Sequence, residues 1–199
     1  MEFNGTFELE GATTEEVWLA LSDPIMVKNA LPGCQFLLEV DDETPDWDEL
    51  REQAEAAGED PPTLPEASVE DVAERAFEEG KSYAALMEIG VGSVNPSFET
   101  IVTITEREFP VMNAIGQGSA SNSSFEMESG MTLEETDDGV AVEWWTEADV
   151  FGRVAQMGQR VINPVANRVV NRFFSKVESQ LSDVSNDEGG LRDRIRNLI

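Results

Sequence analysis

The chain opens with an alternation. In EFNGTFELE, Phe3, Phe7 and Leu9 fall on one face and Glu2, Thr6 and Glu8 on the other, the period of a half-buried strand. The period then lengthens: Thr13 followed by Glu16 forms a capping box, and Val17, Trp18, Ala20 and Leu21 make a helical stripe that Ser22-Asp23-Pro24 stops. A short helix is predicted from Pro24 to Leu31, ending at Pro32-Gly33, and an extended apolar run from Cys34 to Val40.

Asp41 to Gly80 breaks this rhythm with 16 acids, 2 bases and four of the nine prolines. Helical patches at Asp46–Ala57 and Ser68–Glu79 flank Gly-Glu-Asp-Pro-Pro, and the thin apolar content predicts a mobile excursion inserted into one domain. Five strand-like segments follow, Ser82–Ile89, Ser97–Thr105, Phe109–Gln117, Ser123–Glu134 and Val140–Val150, with the turn spacing of an antiparallel meander. Phe125, Met127, Met131 and Leu133 alternate with Glu126, Glu128, Thr132 and Glu134, so one face is wet and the other apolar. Of the adjacent Trp144 and Trp145 only one can point inward, and the alternation selects Trp144 with Val142.

A long helix is predicted over Arg153–Leu181, with Val154, Val161, Val165, Val169 and Phe173 on one face and a kink at Pro164. Strand, two short helices, curved meander and closing helix is the element order of the helix-grip fold, an α+β arrangement whose sheet wraps the last helix and can leave a hydrophobic cavity beneath it. The domain expected is 1–182, interrupted by 41–80 and followed by a linker and tail at 183–199. Phe98, Val102, Phe125, Met127, Met131 and Trp144 from the sheet, with Val161, Val165 and Val169 from the helix, face this interior. Such residues fill a core or line a cavity equally well, methionine being an adaptable lining. Asn113, Ser129 and Thr100 are the polar candidates for orienting a ligand.

Charge changes the picture in two ways. The 199 residues carry 41 acids, 13 bases and no histidine, a formal charge of -28, so nucleic acid is excluded as a partner. Three lysines against ten arginines under that acid load resembles the composition of proteins from salt-adapted archaea. The charge is also segregated: residues 1–150 hold 36 acids and 5 bases, residues 151–199 hold 5 acids and 8 bases. Arg153, Arg160 and Arg168 lie within roughly 80° of one another on a helical projection, one basic edge beside the apolar stripe. That edge either pairs with outward acids such as Glu143, Glu147 or Asp149, or meets anionic lipid or an acidic partner. After a Ser-Asn-Asp-Glu-Gly-Gly linker, LRDRIRNLI sets Leu191, Ile195, Leu198 and Ile199 against Arg192, Arg194 and Arg196, a short basic amphipathic tail suited to weak membrane contact or to a partner's groove.

Catalytic chemistry finds little to work with. Without histidine and with one cysteine, zinc or iron sites and Ser-His-Asp or Cys-His mechanisms are excluded, leaving a carboxylate, Lys81 or Tyr83 for proton transfer. The single Cys34 cannot form an internal disulfide, and it reads as a small, partly buried residue with no basic neighbour to activate it. The N-terminus has neither a basic region nor an apolar run, and no stretch reaches 18 apolar residues, so a cytoplasmic protein is expected, peripheral to the membrane at most.

SDPIMVKNALPGC (Ser22–Cys34) resembles the helix-to-strand signature of the family of carbon monoxide dehydrogenase G subunits, within the START-like superfamily also called SRPBCC. The similarity continues through GVGSVNPSFETIVTIT (Gly90–Thr105), GQGSASNSSF (Gly116–Phe125) and ADVFGRVAQMGQRVINPVANRVVNRFF (Ala148–Phe174), about four fifths of the chain. The long acidic insertion, and Ser93 where a proline is usual, depart from the pattern. The resemblance implies a noncatalytic accessory protein with no covalent cofactor. It would bind a hydrophobic small molecule, a quinone or other isoprenoid lipid, and serve a molybdenum carbon monoxide dehydrogenase or related hydroxylase complex. The alternatives are a solid-core adaptor anchored by its tail and a cavity enzyme using Tyr83 or a carboxylate.

Overall fold

A computed structural model describes residues 1–41 and 44–185. Strand β1 (Glu2–Glu10) leads into α1 (Thr14–Ser22), where Thr13 and Glu16 form the reciprocal capping box, and then α2 (Pro24–Ala30), capped by the Asp23 side chain on Ile25 N–H. Strand β2 (Cys34–Val40) is followed by α3 (Trp47–Ala57) and α4 (Val69–Glu74). A meander of β3 (Ser82–Glu88), β4 (Ser97–Glu108), β5 (Val111–Ala120), β6 (Ser123–Glu135) and β7 (Gly139–Gly152) precedes α5 (Arg153–Gln156) and α6 (Gln159–Ser185).

All seven strands form one antiparallel sheet in the order β1-β7-β6-β5-β4-β3-β2, with α6 laid across its inner face: a helix-grip fold. The inner face follows from register. Phe7 pairs with Val142 and Val142 with Leu133, so these apolar side chains form one row, against which Phe174 of α6 stacks on Phe7 at 4.8 Å. Leu9, Val140, Val142 and Val177 are each at most 1 % exposed and anchor the main core with α1 and α2.

Residues 47–77 pack against the domain, where the composition of 41–80 predicts a mobile excursion. Helix α3 lies on the outer face of the sheet, where Leu50, Trp47 and Ala54 cover Phe36, Leu38, Ala84, Leu86 and Ile101, and Arg51 pairs with Glu99. The second half returns to the inner side, where Leu64, Val69, Val72 and Phe77 join the main core and Arg75 pairs with the buried Asp23. Few apolar residues suffice because Leu50, Leu64, Val69, Val72 and Phe77 are all buried; fully burying one such side chain is worth about 1.5–3 kcal/mol.

The closing helix also differs from its prediction. The helix is interrupted at Gly158, with φ +74°, and α6 continues through Pro164. Glycine takes this left-handed conformation without the steric cost of a Cβ, so Val154 and Arg153 belong to a separate short helix, α5.

Candidate functional site

Between the sheet and the C-terminal half of α6 lies a half-open cavity of about 300 Å³. Strands β5, β6 and β7 supply its floor at Met112, Ala114, Ser129, Met131, Trp144 and Thr146, and α2 closes one side with Val27 and Leu31. Helix α6 roofs it with Val169, Val170, Phe173 and Phe174.

The strand register explains the hollow. Ala114 of β5 stands opposite Ser129 of β6, which stands opposite Thr146 of β7. These three short side chains sit between flanks that hold α6 off the sheet: the Phe7–Phe174 stack on one side, and Phe98 against Phe125 at 5.4 Å on the other. Trp144 lies flat over Gly5, whose missing Cβ leaves the indole its place; a Cβ there would come within 3.2 Å of the ring. Trp145 points to the outer face and is 40 % exposed.

Among the described residues, no ionisable side chain lines the cavity. Its polar side chains, beside the Trp144 indole, are the hydroxyls of Ser129 and Thr146, on adjacent strands at one register position; Asn113, a predicted orienting residue, stands instead in the Gly130–Trp145 row on the outer face, where its amide donates to the Glu106 carboxylate. Oriented hydroxyls in an apolar wall fix a neutral acceptor such as a carbonyl oxygen, whereas an ionised headgroup would lose hydration without a counter-charge.

Of the nine residues predicted to line the interior, Met131, Trp144 and Val169 border this cavity. Phe98, Phe125, Val161 and Val165 instead build a second apolar cluster at the other end of α6, with Met87, Val91, Val154 and Met157. Val102 and Met127 are half-buried between the two ends, Met127 folded over Gly116, and neither belongs to the cavity lining. Thr100 is also elsewhere, buried at 3 % exposure opposite Gly118. Val27, Leu31, Met112, Ala114, Thr146 and Val170 were not predicted. The family-like SDPIMVKNALPGC run contains the first two, but only the chain's return places α2 at the cavity's side.

The acid and base groups left open by the sequence lie elsewhere. Tyr83 is buried, its hydroxyl accepting from Glu78 N–H and its pKa pushed up by burial, and Lys81 pairs with Glu39 at the surface. Burial pushes the Cys34 thiol up to about 11, which makes it unreactive. A larger hollow of about 590 Å³ lies on the sheet's outer face, but Glu126, Glu128, Glu147 and Asp149 line it, an unsuitable wall for an apolar ligand. Among the described residues no cluster of metal-ligating side chains is found, and no helix is long and apolar enough to cross a membrane.

Of the two readings of the basic edge, internal pairing is not seen among the described residues. Arg160 and Arg168 of α6 and Arg153 of α5 are exposed, and none makes an ion pair among the described residues, with Glu143, Glu147 and Asp149 or otherwise. Arg192, Arg194, Arg196, Leu198 and Ile199 lie outside the described residues.

Comparison with known proteins fits this geometry. The family model of the carbon monoxide dehydrogenase G subunit (CoxG) matches residues 73–182, more than half of the chain. No curated protein matches the sequence. Among solved structures, a conserved protein from Geobacillus kaustophilus is 22 % identical with a TM-score of 0.66, covering 92 % of this chain and 96 % of its own. The Zhui aromatase/cyclase from a Streptomyces species is 11 % identical with a TM-score of 0.59, over 96 % and 98 % of the two chains. A Thermus thermophilus protein is 10 % identical with a TM-score of 0.58, over 94 % and 100 %. At these identities the likeness establishes the fold, which is that of the START-like proteins.

Proposed function

From the premise that this chain belongs to the CoxG family of carbon monoxide dehydrogenase G subunits, we propose that it is a noncatalytic accessory protein that holds an uncharged hydrophobic molecule between its sheet and α6. The observation that carries this reading is the cavity wall: apolar throughout, with two adjacent hydroxyls and no acid or base among the described residues. A quinone fits such a wall, its ring against Trp144, Met131 and Phe173 and a carbonyl oxygen accepting from Ser129 or Thr146, with an isoprenoid tail leaving through the open side. The enzyme served is a molybdenum-containing carbon monoxide dehydrogenase or a related hydroxylase, and the protein reaches it, and the membrane face, without itself spanning a bilayer.

The aromatase/cyclase neighbour raises a second reading, a cavity enzyme. The absence of an ionisable group among the described lining residues argues against it, because aldol and dehydration chemistry requires proton transfer at the substrate.

Solvent extraction of the purified protein followed by mass spectrometry tests the proposal. A stoichiometric quinone or isoprenoid is expected, and its loss in the double variant S129A/T146V would assign the hydroxyls. Empty extracts, together with failure of an added short-chain quinone to quench Trp144 fluorescence, would overturn it.

A further inference from the structure

The basic residues form two populations. Of the five in the first 150 residues, Lys28, Arg51, Arg75 and Lys81 each pair with a carboxylate, and the Arg107 guanidinium lies over the Trp18 ring at 5.4 Å. The next five, Arg153, Arg160, Arg168, Arg172 and Lys176, are all exposed and have no carboxylate partner among the described residues. Residues 151–177 contain no Asp or Glu. Arg168, Arg172 and Lys176 repeat every four residues, a spacing that sets like charges side by side and destabilises an isolated helix. A sequence with 41 acids places none in this row, and no described residue supplies its counter-charge.

We infer that the outward row of α6, Arg160, Arg168, Arg172 and Lys176, docks the protein on an anionic lipid surface, with headgroup phosphates as its counterions. The inference rests on the membrane-facing part of the function proposed above and names the surface that makes contact. A protein partner fits less well. Interface cores are anchored by aromatic and large apolar side chains, and between these bases stand Asn163, Pro164, Asn167, Asn171 and Ser175, all exposed. A headgroup layer asks only for donors and positive charge in a line.

The net charge of -28 does not forbid the contact. Glu126, Glu128, Glu147 and Asp149 are on the sheet face turned away from α6. They stand at least a helix diameter, about 10 Å, behind the row, beyond the screening length of about 8 Å in physiological salt. Docking also places the ligand path usefully, because the inward side of the same helix roofs the cavity with Val169, Val170 and Phe173.

Co-sedimentation of the full chain with vesicles tests this, comparing equimolar phosphatidylglycerol and phosphatidylcholine with phosphatidylcholine alone. Binding is expected to the anionic vesicles only and to vanish in molar salt. Each base near such a surface is worth about fivefold, so R168Q/R172Q/K176Q is expected to weaken partitioning about a hundredfold. With the melting temperature as a check on folding, E126Q/E128Q on the opposite face is expected to leave binding unchanged or slightly stronger. If the triple variant binds like the wild type while truncation after residue 185 abolishes binding, the tail is the anchor: membrane association stands and the α6 row is overturned. If the full chain binds neither vesicle, both fail. Equal binding to the two vesicle types, or displacement by a short DNA duplex as effective as by anionic vesicles, would overturn the lipid assignment.

Discussion

The two ends of the interface between α6 and the sheet are built from the same kinds of residue and do different things. Near Gly158, Phe98 and Phe125 meet edge-on and Val161 and Val165 close over them. Near Phe173, methionines, a tryptophan and valines leave about 300 Å³ between them. The difference lies in what enters from the flanks. At the first end the β3–β4 connection contributes Val91 and Val94, while Val154 of α5 and Met157 just after it add to them, so the helix is met on three sides. At the second end the cavity itself is entered from the flank only by Val27 of α2 and Leu31 just after it, above the short side chains of Ala114 and Ser129. Large residues at both ends prop the helix, and small ones between them leave the space. A cavity of this kind is maintained by packing around it and needs no special residue inside it.

The contrast is sharpest in truncation. Phe98→Ala removes a ring that is 5 % exposed and is expected to cost about 3–5 kcal/mol in chemical denaturation. Met131→Ala, half-buried beside existing space, is expected to cost about 2 kcal/mol while enlarging the site, the low end for such changes. Equal costs would mean that the hollow end is as tightly packed as the other.

Enlargement should reverse the order of effects. Gly118→Ala pushes a methyl into the Phe125 ring and is expected to cost about 1–3 kcal/mol with ligand binding kept. Ala114→Leu grows into the cavity, so thermal stability is expected to stay within about 1 kcal/mol of wild type while quinone uptake, read by fluorescence titration, falls at least tenfold. Unchanged uptake would place the ligand elsewhere.

The smallest effect concerns Cys34, beside the packed end. Burial raises its pKa from 9.0 to about 11, favouring the neutral thiol in the folded state. Its contribution to stability is therefore complete below about pH 9 and declines as the pH rises toward 11. At pH 8 the native thiolate fraction is lower than that of the unfolded chain by about a hundredfold, so iodoacetamide is expected to label the native protein slower by a similar factor. Rapid native labelling would show that this end opens.

Much of the framework was legible in the chain. The capping box at Thr13 and Glu16, the alternation of Phe125, Met127, Met131 and Leu133, and the choice of Trp144 over Trp145 for the inner face follow from local periodicities that the backbone obeys directly. The second half of the insertion was less legible. Val69, Val72, Ala73, Ala76 and Phe77 recur at helical spacing, but the stripe is one short turn-rich segment in an acidic run, and its burial depends on a core supplied by α1 and β1, distant in sequence. The break at Gly158 was missed for a related reason: both Gly158 and Pro164 interrupt helical propensity, and the turn from β7 into α6 decides which one yields.

What the sequence determined by itself was the order of elements, the sidedness of each, and a basic closing helix in an acidic chain, because periodicity and charge are properties of consecutive residues. Which inward residues would touch one another, and which would face a space, was decided by the tertiary structure alone. Val165 and Val169 are one helical turn apart and chemically identical; the first meets the packed cluster and the second roofs the cavity. Their fates separate because register across β5, β6 and β7 puts Ala114, Ser129 and Thr146 in one row, and that row exists only once strands distant in sequence are side by side.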